Sequence, residues 1–293
     1  MIGMQIGHHR GYLTICQNRY ISDVAKRFGE LGCTPTRTPA NTAISLVRTG
    51  VARKPASSEV QPTKYRSLVG ALMYAVMTRP DVATPVSICA RYLQQPTQAH
   101  WDAAMRILRY LVSTPEICLT YRKSNNLTLA AYVDASWADD KDTRRSRYGY
   151  AIYLGNSLIS WKSKLHACIT LSTAESEYVA ATEACKTVVW LRNTMHELRM
   201  PQHAPTAVYE DNQACIHMAA NRMITGRNKH MELKQHYVQS LSLNKTVRLV
   251  YVNTKQQRAD ILTKNLAVAD FMRMRELLLG NRPHEANHEP KSC

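Results

Sequence analysis

Four acidic residues lie in sequence settings from which a metal site could be assembled. Asp134 ends the apolar run LTLAAYV, and Asp211 ends the apolar run AVY. Glu177 stands early in a long helical pattern, and Asp260 opens a helical pattern after the last predicted strand. Mg²⁺ takes oxygen ligands and usually binds through a few carboxylates together with substrate phosphate. If the four side chains converge, we expect divalent-metal hydrolysis of nucleic acid.

Each of these acids also has an ordinary structural interpretation. Asp211 and Asp260 could cap helix N-termini. Glu177 could be a solvated helix residue, and Asp134 a turn residue. Carboxylates at close range repel one another, so a shared position makes sense only if metal neutralises them. The order of the four acids along predicted strands and helices, on a basic chain, favours the metal interpretation.

The composition favours a polyanionic partner. The 293 residues include 38 Lys and Arg against 22 Asp and Glu, a net charge of +16. Each phosphate that a basic side chain neutralises releases a condensed counterion, which drives binding to nucleic acid. The alternative is a basic protein without such a partner.

Cysteine usage and hydropathy indicate the cellular compartment in which the protein is expected. None of the eight cysteines forms a C-x-x-C pair, so neither a zinc site nor a redox motif is indicated. This usage is typical of a reducing, intracellular compartment, cytoplasmic or nuclear. No stretch reaches the about 18 apolar residues of a membrane span, and the first residues lack the pattern of a signal peptide. We therefore expect no membrane partner.

The predicted elements fall into two parts. A strand at 11–17 and a helix precede residues 33–63, which are rich in Pro, Thr and Ser and are predicted to be a linker. Three helices follow over residues 64–112. From residue 117 the pattern changes to strands, a long helix from Ser172 or Thr173, and further strands and helices. This order predicts a mixed sheet with an antiparallel portion and helices on both faces. The tail at 281–293 is predicted to be disordered.

Several separate motifs resemble one family in order and spacing. They are YRSLVGALMY with TRPD, AHWDAAMRILRYL, the run from SWADDKDTRRS to LISWKSK, LSTAESEY, DNQACI and ADILTK. From about residue 3 to 279, the chain resembles the end of the Pol polyprotein of copia-type LTR retrotransposons.

The resemblance implies a fold and an activity. Residues 1–112 would be the end of a reverse transcriptase, a mostly helical thumb and connection segment. Residues 113–280 would be a ribonuclease H-like domain, an α/β fold with a mixed five-stranded sheet and flanking helices. Such a domain degrades the RNA strand of an RNA–DNA hybrid during reverse transcription, with two Mg²⁺ ions or with Mn²⁺. The family's catalytic and metal-binding acids fall on Asp134, Glu177, Asp211 and Asp260.

The resemblance also implies partners. Besides the RNA–DNA hybrid, these are the upstream polymerase domains of the same polyprotein, in a cytoplasmic virus-like particle or in the nucleus. Because the helical segment lacks those domains here, we expect exposed apolar surface on it. No Tyr-x-Asp-Asp motif of the polymerase occurs in the chain, so we expect no polymerase activity.

Two details of the acid pattern stay open. Glu175 and Glu177 compete for one position, and a two-residue offset on a helix turns the side chain by about 200°. We choose Glu177, because the spacing to the following Ala fits the family. Cellular ribonucleases H carry a histidine shortly before the last Asp, and the stretch VRLVYVNTKQQRAD has none. His230 and His236 are more distant and are interpreted as surface or packing residues.

Candidate substrate contacts lie in two basic stretches. Arg144, Arg145 and Arg147 follow the first strand of the sheet, and Lys162 and Lys164 end the third; these side chains could hold backbone phosphates. Asn212 could contact a ribose 2′-OH. Trp137 and Trp161 are expected to be packed rather than stacked on bases. The alternative for the basic set is a solvated face.

Two other functions stay possible at this point. A catalytically inactive retrotransposon remnant would bind nucleic acid without cutting it. An integrase-type nuclease would share the fold and metal chemistry, but the motifs after Asp134 disfavour it.

Overall fold

The computed structural model describes residues 3–48, 60–220 and 229–279, with the backbone alone for residues 229–231. The predicted linker at 33–63 lies partly outside these ranges, and its described residues form neither helix nor strand before α2 begins at Pro62. The predicted disordered tail at 281–293 and the side chain of His230 lie outside them entirely.

In its described residues, the N-terminal part combines four α-helices with a small sheet. An antiparallel sheet is formed, in the order β1-β2-β3, by β1 (Gln5–His9), β2 (Tyr12–Cys16) and β3 (Leu119–Arg122). The helices are α1 (Asn18–Phe28), α2 (Pro62–Ala75), α3 (Ala83–Cys89) and α4 (Gln98–Val112). β3 lies after residue 112, so the strand order links the two predicted segments.

Local sequence explains how these helices begin and end. α1 ends at Gly29, whose φ of 74° is open to glycine without steric cost. α2 begins with Pro62, where the missing N–H leaves no helical hydrogen bond unmade. α4 begins after Thr97, whose backbone N–H donates to Nδ1 of His100 at 2.9 Å, so this end is capped by a histidine.

The second part contains the predicted five-stranded mixed sheet, in the order β6-β5-β4-β7-β8. Its strands are β4 (Leu129–Ser136), β5 (Arg147–Leu154), β6 (Ser157–Leu165), β7 (Thr206–Glu210) and β8 (Val247–Tyr251). β4, β5 and β6 are antiparallel, whereas β4, β7 and β8 are parallel. The predicted fold class, including the mostly helical segment before it, is confirmed.

Helices cover both faces of this sheet. They are α5 (Thr173–Glu197), α6 (Gln213–Ala220), α7 (Lys229–Leu243) and α8 (Val268–Leu278). Short 3-10 turns at Thr254–Gln256 and Asp260–Leu262 connect β8 to α8. Within the described ranges, no helix has the length and apolar character needed to cross a bilayer.

Alternating residues of β4 send side chains into two separate cores. Val133 packs with Tyr178 of α5 on one face. Tyr132 packs on the other face, in a core that also contains Leu68 of α2 and Leu108 of α4. Successive strand residues point to opposite faces, so one strand serves both cores. The N-terminal helices are therefore packed on the sheet.

The expectation of exposed apolar surface on the helical segment holds in part. Met73 and Met77, at and just after the end of α2, are 53% and 52% exposed, and Ile6 of β1 is 43% exposed. Most of the apolar residues of these helices are instead buried, because the sheet face and α8 supply a partner surface within the chain.

Candidate active site

Three of the four predicted acids converge at one edge of the sheet. Asp134 lies near the end of β4, Asp211 directly follows β7, and Glu177 lies in the second turn of α5. Each offers an oxygen, and the three oxygens lie within 4.8 Å of one another. β4 and β7 are parallel neighbours with Tyr132 opposite Tyr209, so both strands deliver their acid at the same edge. Asp134, Glu177 and Asp211 are called the acid triad below.

Glu175 and Glu177 have different roles in α5. Oγ of Ser172 accepts a hydrogen bond from the backbone N–H of Glu175 at 3.1 Å, and Oε2 of Glu175 accepts one from the N–H of Leu171 at 2.7 Å. Ser172 therefore caps the helix, and Glu175 holds the residue that precedes the cap. Glu177 instead joins the acid triad, and its Oε2 is buried without a hydrogen-bond partner.

Asp211 does not cap the helix that follows it. Oδ1 of Asn212 accepts from the backbone N–H of Cys215 at 3.0 Å, so the neighbouring residue caps α6. Oδ2 of Asp211 accepts a hydrogen bond from Oγ1 of Thr254 at 2.7 Å. The capping contact uses the carbonyl oxygen of the Asn212 side chain, and its NH₂ group remains the candidate contact for a ribose hydroxyl.

Asp260 lies beside the triad and is held in an ion pair. The 3-10 turn that it opens approaches β5 closely at Gly149, which is opposite Asp134 in the sheet register. A Cβ at Gly149 would lie 2.6 Å from Cβ of Leu262, so only glycine leaves room for the turn. The Asp260 carboxylate does not cap the turn; its Oδ1 lies 3.0 Å from Nζ of Lys264.

Glu210 is a fifth acid at this edge that the sequence analysis missed. It is fully buried, its Oε1 accepts from the backbone N–H of Asn212 at 3.0 Å, and its Oε2 has no hydrogen-bond partner. The alternation of β7 could have found it, since Thr206, Val208 and Glu210 all point inward. Glu210 lies outside the motif DNQACI, which begins at Asp211.

Burial and mutual repulsion make this cluster unfavourable without a cation. Burial, with the charges of Glu210, Asp134 and Asp211, raises the pKa of Glu177 to about 11. Burial, with the charge of Asp260, raises the pKa of Asp134 to about 7. Burial also raises the pKa values of Glu210 and Asp260. The cluster is therefore suited to bind positive charge.

Four of the five predicted basic contacts are exposed, and Arg147 is not. Arg144, Arg145, Lys162 and Lys164 are exposed and form no ion pair with another described residue. Arg147 is 1% exposed; its Nη1 donates to Oγ of Ser87 at 2.7 Å, and its Nε lies 3.5 Å from Oδ2 of Asp139. The prediction that Arg147 contacts phosphate is wrong, because the N-terminal helices bury it.

The loop that carries Arg144 and Arg145 is anchored by the N-terminal part. Arg91, just after α3, forms ion pairs with Asp140 and with Asp142, the latter at 3.2 Å between Nη2 and Oδ2. These contacts use the acidic residues of the loop and leave its two exposed arginines pointing to solvent. The N-terminal part therefore helps to position a candidate substrate surface.

The remaining aromatic and histidine candidates behave as follows. Trp137, expected to be packed, is instead 47% exposed, and its Nε1 donates to the carbonyl oxygen of Thr170 at 3.1 Å. Trp161 is partly buried and packs against the core shared with the N-terminal helices, as expected for it. The His236 side chain is 60% exposed on α7, 3.9 Å from Oε1 of Glu232, which agrees with a surface position.

Comparison with known proteins identifies relatives of the chain. No protein-family model matches it. The retrovirus-related Pol polyprotein from transposon RE2 of Arabidopsis thaliana is 36% identical over 259 residues, which are 88% of this chain and 17% of that protein. The corresponding polyprotein from transposon TNT 1-94 of Nicotiana tabacum is 36% identical over 285 residues, 95% of this chain and 21% of that protein.

Solved structures give a weaker similarity. The N-terminal RNase H domain of a Mycobacterium tuberculosis protein, solved as a fusion with maltose-binding protein, matches 47% of this chain and 91% of that chain. The identity is 17% and the TM-score 0.33, too low to support a conclusion about function.

The sequence relatives confirm the resemblance seen in the motifs. This chain spans only about a fifth of their length. With 36% identity over at least 88% of its residues, the chain belongs to the family of retrovirus-related Pol polyproteins of copia-type transposons.

Proposed function

We propose that residues 113–280 act as a ribonuclease H-type endonuclease that hydrolyses the RNA strand of an RNA–DNA hybrid with divalent ions. The observation that carries this proposal is the convergence of Asp134, Glu177 and Asp211 within 4.8 Å at one sheet edge. Membership of the Pol family supports it, because reverse transcription produces such a hybrid. Residues 1–112 would be the end of the reverse transcriptase, and we expect no polymerase activity from them.

The residues of the site fit a hard divalent cation. All donors are carboxylate oxygens, as Mg²⁺ prefers, and Mn²⁺ takes the same ligands. Oε2 of Glu177 is buried without a partner, and such an atom is costly unless a cation or donor reaches it. When bound, divalent ions activate water and stabilise the leaving oxygen of an in-line displacement. Asp134, Glu177 and Asp211 would hold the first ion, and Asp260 would contribute to a second.

Neighbouring residues prepare the carboxylates for this role. Oγ1 of Thr263 donates to Oδ2 of Asp134, and Thr254 donates to Asp211. Each threonine hydroxyl bonds to one oxygen of the aspartate carboxylate and orients that carboxylate. The aspartate side chain therefore loses less conformational freedom when a metal ion binds. Glu210 is buried behind the triad, and its carboxylate adds to the local negative potential when it is ionised.

The proposed substrate surface consists of exposed basic residues. Arg144 and Arg145 lie in the anchored loop, and Lys162 and Lys164 lie on β6. We assign them to the phosphates of the hybrid, which they would position without reading sequence. Asn212, next to the acid triad, is assigned to the ribose 2′-OH that distinguishes RNA from DNA.

Hydrolysis of a labelled hybrid tests the proposal. The full chain should cut the RNA strand in Mg²⁺ or Mn²⁺ and stop when a chelator is added. Asp134→Asn and Asp211→Asn should each lower the rate by at least about 10²-fold, because each removes a charged ligand. Asp23→Asn, at an exposed acid of α1, is the matched control and should leave the rate unchanged.

Two outcomes would contradict the enzyme assignment. One is equal cleavage by wild type and Asp134→Asn. The other is salt-dependent binding of the hybrid without cleavage in either metal, which is the behaviour of an inactive remnant. Cleavage of the RNA strand in a hybrid, with single-stranded RNA and the DNA strand left intact, would support the specific substrate.

A further inference from the structure

A lysine ammonium lies inside the acidic edge of the sheet. Nζ of Lys264 is 3.0 Å from Oδ1 of Asp260, and the two side chains are 40% and 9% exposed. The two residues are four positions apart in the sequence, and the backbone N–H of Lys264 donates to the carbonyl oxygen of Asp260 at 3.2 Å. The ammonium is thus positioned by the backbone as well as by the ion pair.

Lys264 also interacts electrostatically with the acid triad. The charges of Asp134, Asp260 and Asp211 all attract its ammonium. One lysine therefore acts on three of the four predicted metal-binding acids.

The four acids are not equivalent in the structure. Asp134, Glu177 and Asp211 offer oxygens within 4.8 Å of one another, and Asp260 is not a member of that group. Asp260 is also the only one of the four that forms an ion pair with another described residue. The acid triad is thus open to a cation, whereas Asp260 is already paired with the ammonium of Lys264.

We propose that Lys264 is a positioning residue that sets the number of divalent ions in the free protein. Its ammonium neutralises Asp260 and keeps that carboxylate from serving a divalent ion. The acid triad then takes a single ion in the absence of nucleic acid. A second ion, which would use Asp260, has to displace the ammonium, and a substrate phosphate would supply the additional negative charge for this. The inference rests on the proposed function and deepens it.

Two arguments support a role beyond ordinary stabilisation. A divalent ion beside an ammonium that shares its carboxylate is repelled, and the repulsion is large where water is partly excluded. A lysine also has a flexible stem and three donors in a compact head, so it can leave Asp260 without disturbing the backbone turn.

Titration of the full chain with Mn²⁺, without nucleic acid, tests this role. Calorimetry gives the number of ions, and electron paramagnetic resonance reports whether two ions are magnetically coupled. Wild type should bind one ion with the spectrum of an isolated Mn²⁺. Lys264→Met should bind a second ion at least about tenfold more tightly than wild type and show coupling, because the competing charge is gone. Lys264→Arg should resemble wild type.

Matched controls separate this effect from general loss of positive charge. Lys123→Met, at an exposed lysine after β3, should bind one ion as wild type does. The double variant Asp260→Asn with Lys264→Met should return to one ion, since the second ion needs Asp260. If Lys264→Met does not fold, Lys264→Gln replaces it, with folding checked by circular dichroism.

The outcomes distinguish a failure of the proposed function from a failure of the proposed role of Lys264. A folded wild-type chain that binds no Mn²⁺ contradicts the proposed function itself. One ion in wild type and still one in Lys264→Met or Lys264→Gln overturns only the inference about Lys264. Two coupled ions in the free wild type overturn it as well, because Lys264 would then not exclude the second ion.

Discussion

Two clusters of buried charge in this molecule have opposite designs. In the first, Arg79 and Asp81 are 1% and 0% exposed and form two hydrogen bonds of 3.0 and 2.8 Å between guanidinium and carboxylate. Tyr110 donates to the same carboxylate at 2.6 Å. In the second, the acidic edge of the sheet, Oε2 of Glu177 and Oε2 of Glu210 are buried without a partner.

At similar burial, the pKa values of Asp81 and Glu177 are shifted in opposite directions. Burial opposes ionisation of Asp81, but the charge of Arg79 and the hydrogen bonds from Arg79 and Tyr110 hold its pKa below the ordinary value. No basic group of the described residues acts on Glu177; burial with neighbouring carboxylates outweighs its hydrogen bond from the Ala135 backbone and raises its pKa to about 11. Position in the interior therefore does not decide the charge state; the partners do.

The difference indicates what each cluster is for. The paired cluster lies between the N-terminal helices and α8, since Arg275 of α8 donates to Oη of Tyr110 at 3.0 Å. Its satisfied charges join the two parts of the chain. The unpaired carboxylates lower stability, and a folded protein retains such a cost where function needs it.

Breaking the paired cluster should have the largest effect on stability. Asp81→Asn leaves the buried Arg79 without its counter-charge and should lower the free energy of unfolding by about 3–5 kcal/mol. For a domain of this size the melting temperature should fall by roughly 10 °C. Thermal and denaturant unfolding at pH 7 measure this. Asp102→Asn, at an exposed residue of α4, is the matched control.

The pH dependence sharpens this prediction. Because the pKa of Asp81 is lowered on folding, its contribution is complete above the ordinary value of 3.8 and is lost as pH falls through the folded-state pKa. The gap between wild type and Asp81→Asn should therefore narrow in strong acid. A variant as stable as wild type at pH 7 would show that the pair does not hold the two parts together.

Relieving the unpaired cluster should have an intermediate effect of opposite sign. Asp134→Asn keeps the acceptor for Thr263 but removes a buried charge, and should stabilise the metal-free chain at pH 8 by about 1–3 kcal/mol. The pKa of Asp134 is raised from 3.8 to about 7, so the wild type loses stability as pH rises across this interval. The difference in unfolding free energy should grow from pH 4 to 7 and then level off.

Divalent ions should act against the stability advantage of Asp134→Asn. A ligand that binds only the folded state stabilises it, so Mg²⁺ should raise the melting temperature of wild type more than that of Asp134→Asn. Equal stability of the two metal-free proteins at pH 8 would indicate that the carboxylates are less crowded than the structure shows.

The smallest effect separates two neighbouring acids of α5. Glu175→Ala removes the acceptor for the backbone N–H of Leu171 and should lower the free energy of unfolding by about 1 kcal/mol while hydrolysis is retained. Glu177→Gln should abolish hydrolysis without a loss of stability. Denaturant unfolding and hybrid cleavage, measured on both variants, test the assignment. Loss of activity in Glu175→Ala alone would exchange the two roles.

Much of the site could be predicted because its residues belong to local patterns. Asp134 and Asp211 each end an apolar run, and an acid at such a boundary is visible without a structure. The choice of Glu177 over Glu175 followed from the resemblance to the family pattern; in the structure Glu177 lies with the other two acids, and Glu175 accepts from the backbone N–H of Leu171. Parallel pairing of β4 with β7 then brings Asp134 and Asp211 together.

Other features depended on contacts between residues distant in sequence. Arg147 belongs to a basic run, yet Ser87 and Asp139 hold it in the interior, as no local pattern indicates. The same applies to the packing of the N-terminal helices on the sheet, which depends on how the two apolar surfaces meet.

The amino-acid sequence by itself indicated the family through the resemblance of its motifs, most of the strands and helices through periodicity, and the candidate acids through residue types at the ends of apolar runs. Tertiary structure alone decided which charges are paired. Asp81 has Arg79 within reach and Asp260 has Lys264, whereas the charged groups that act on Glu177 are other acids. A charge's free energy depends on burial and on neighbours a few ångströms away, and only the folded chain specifies both.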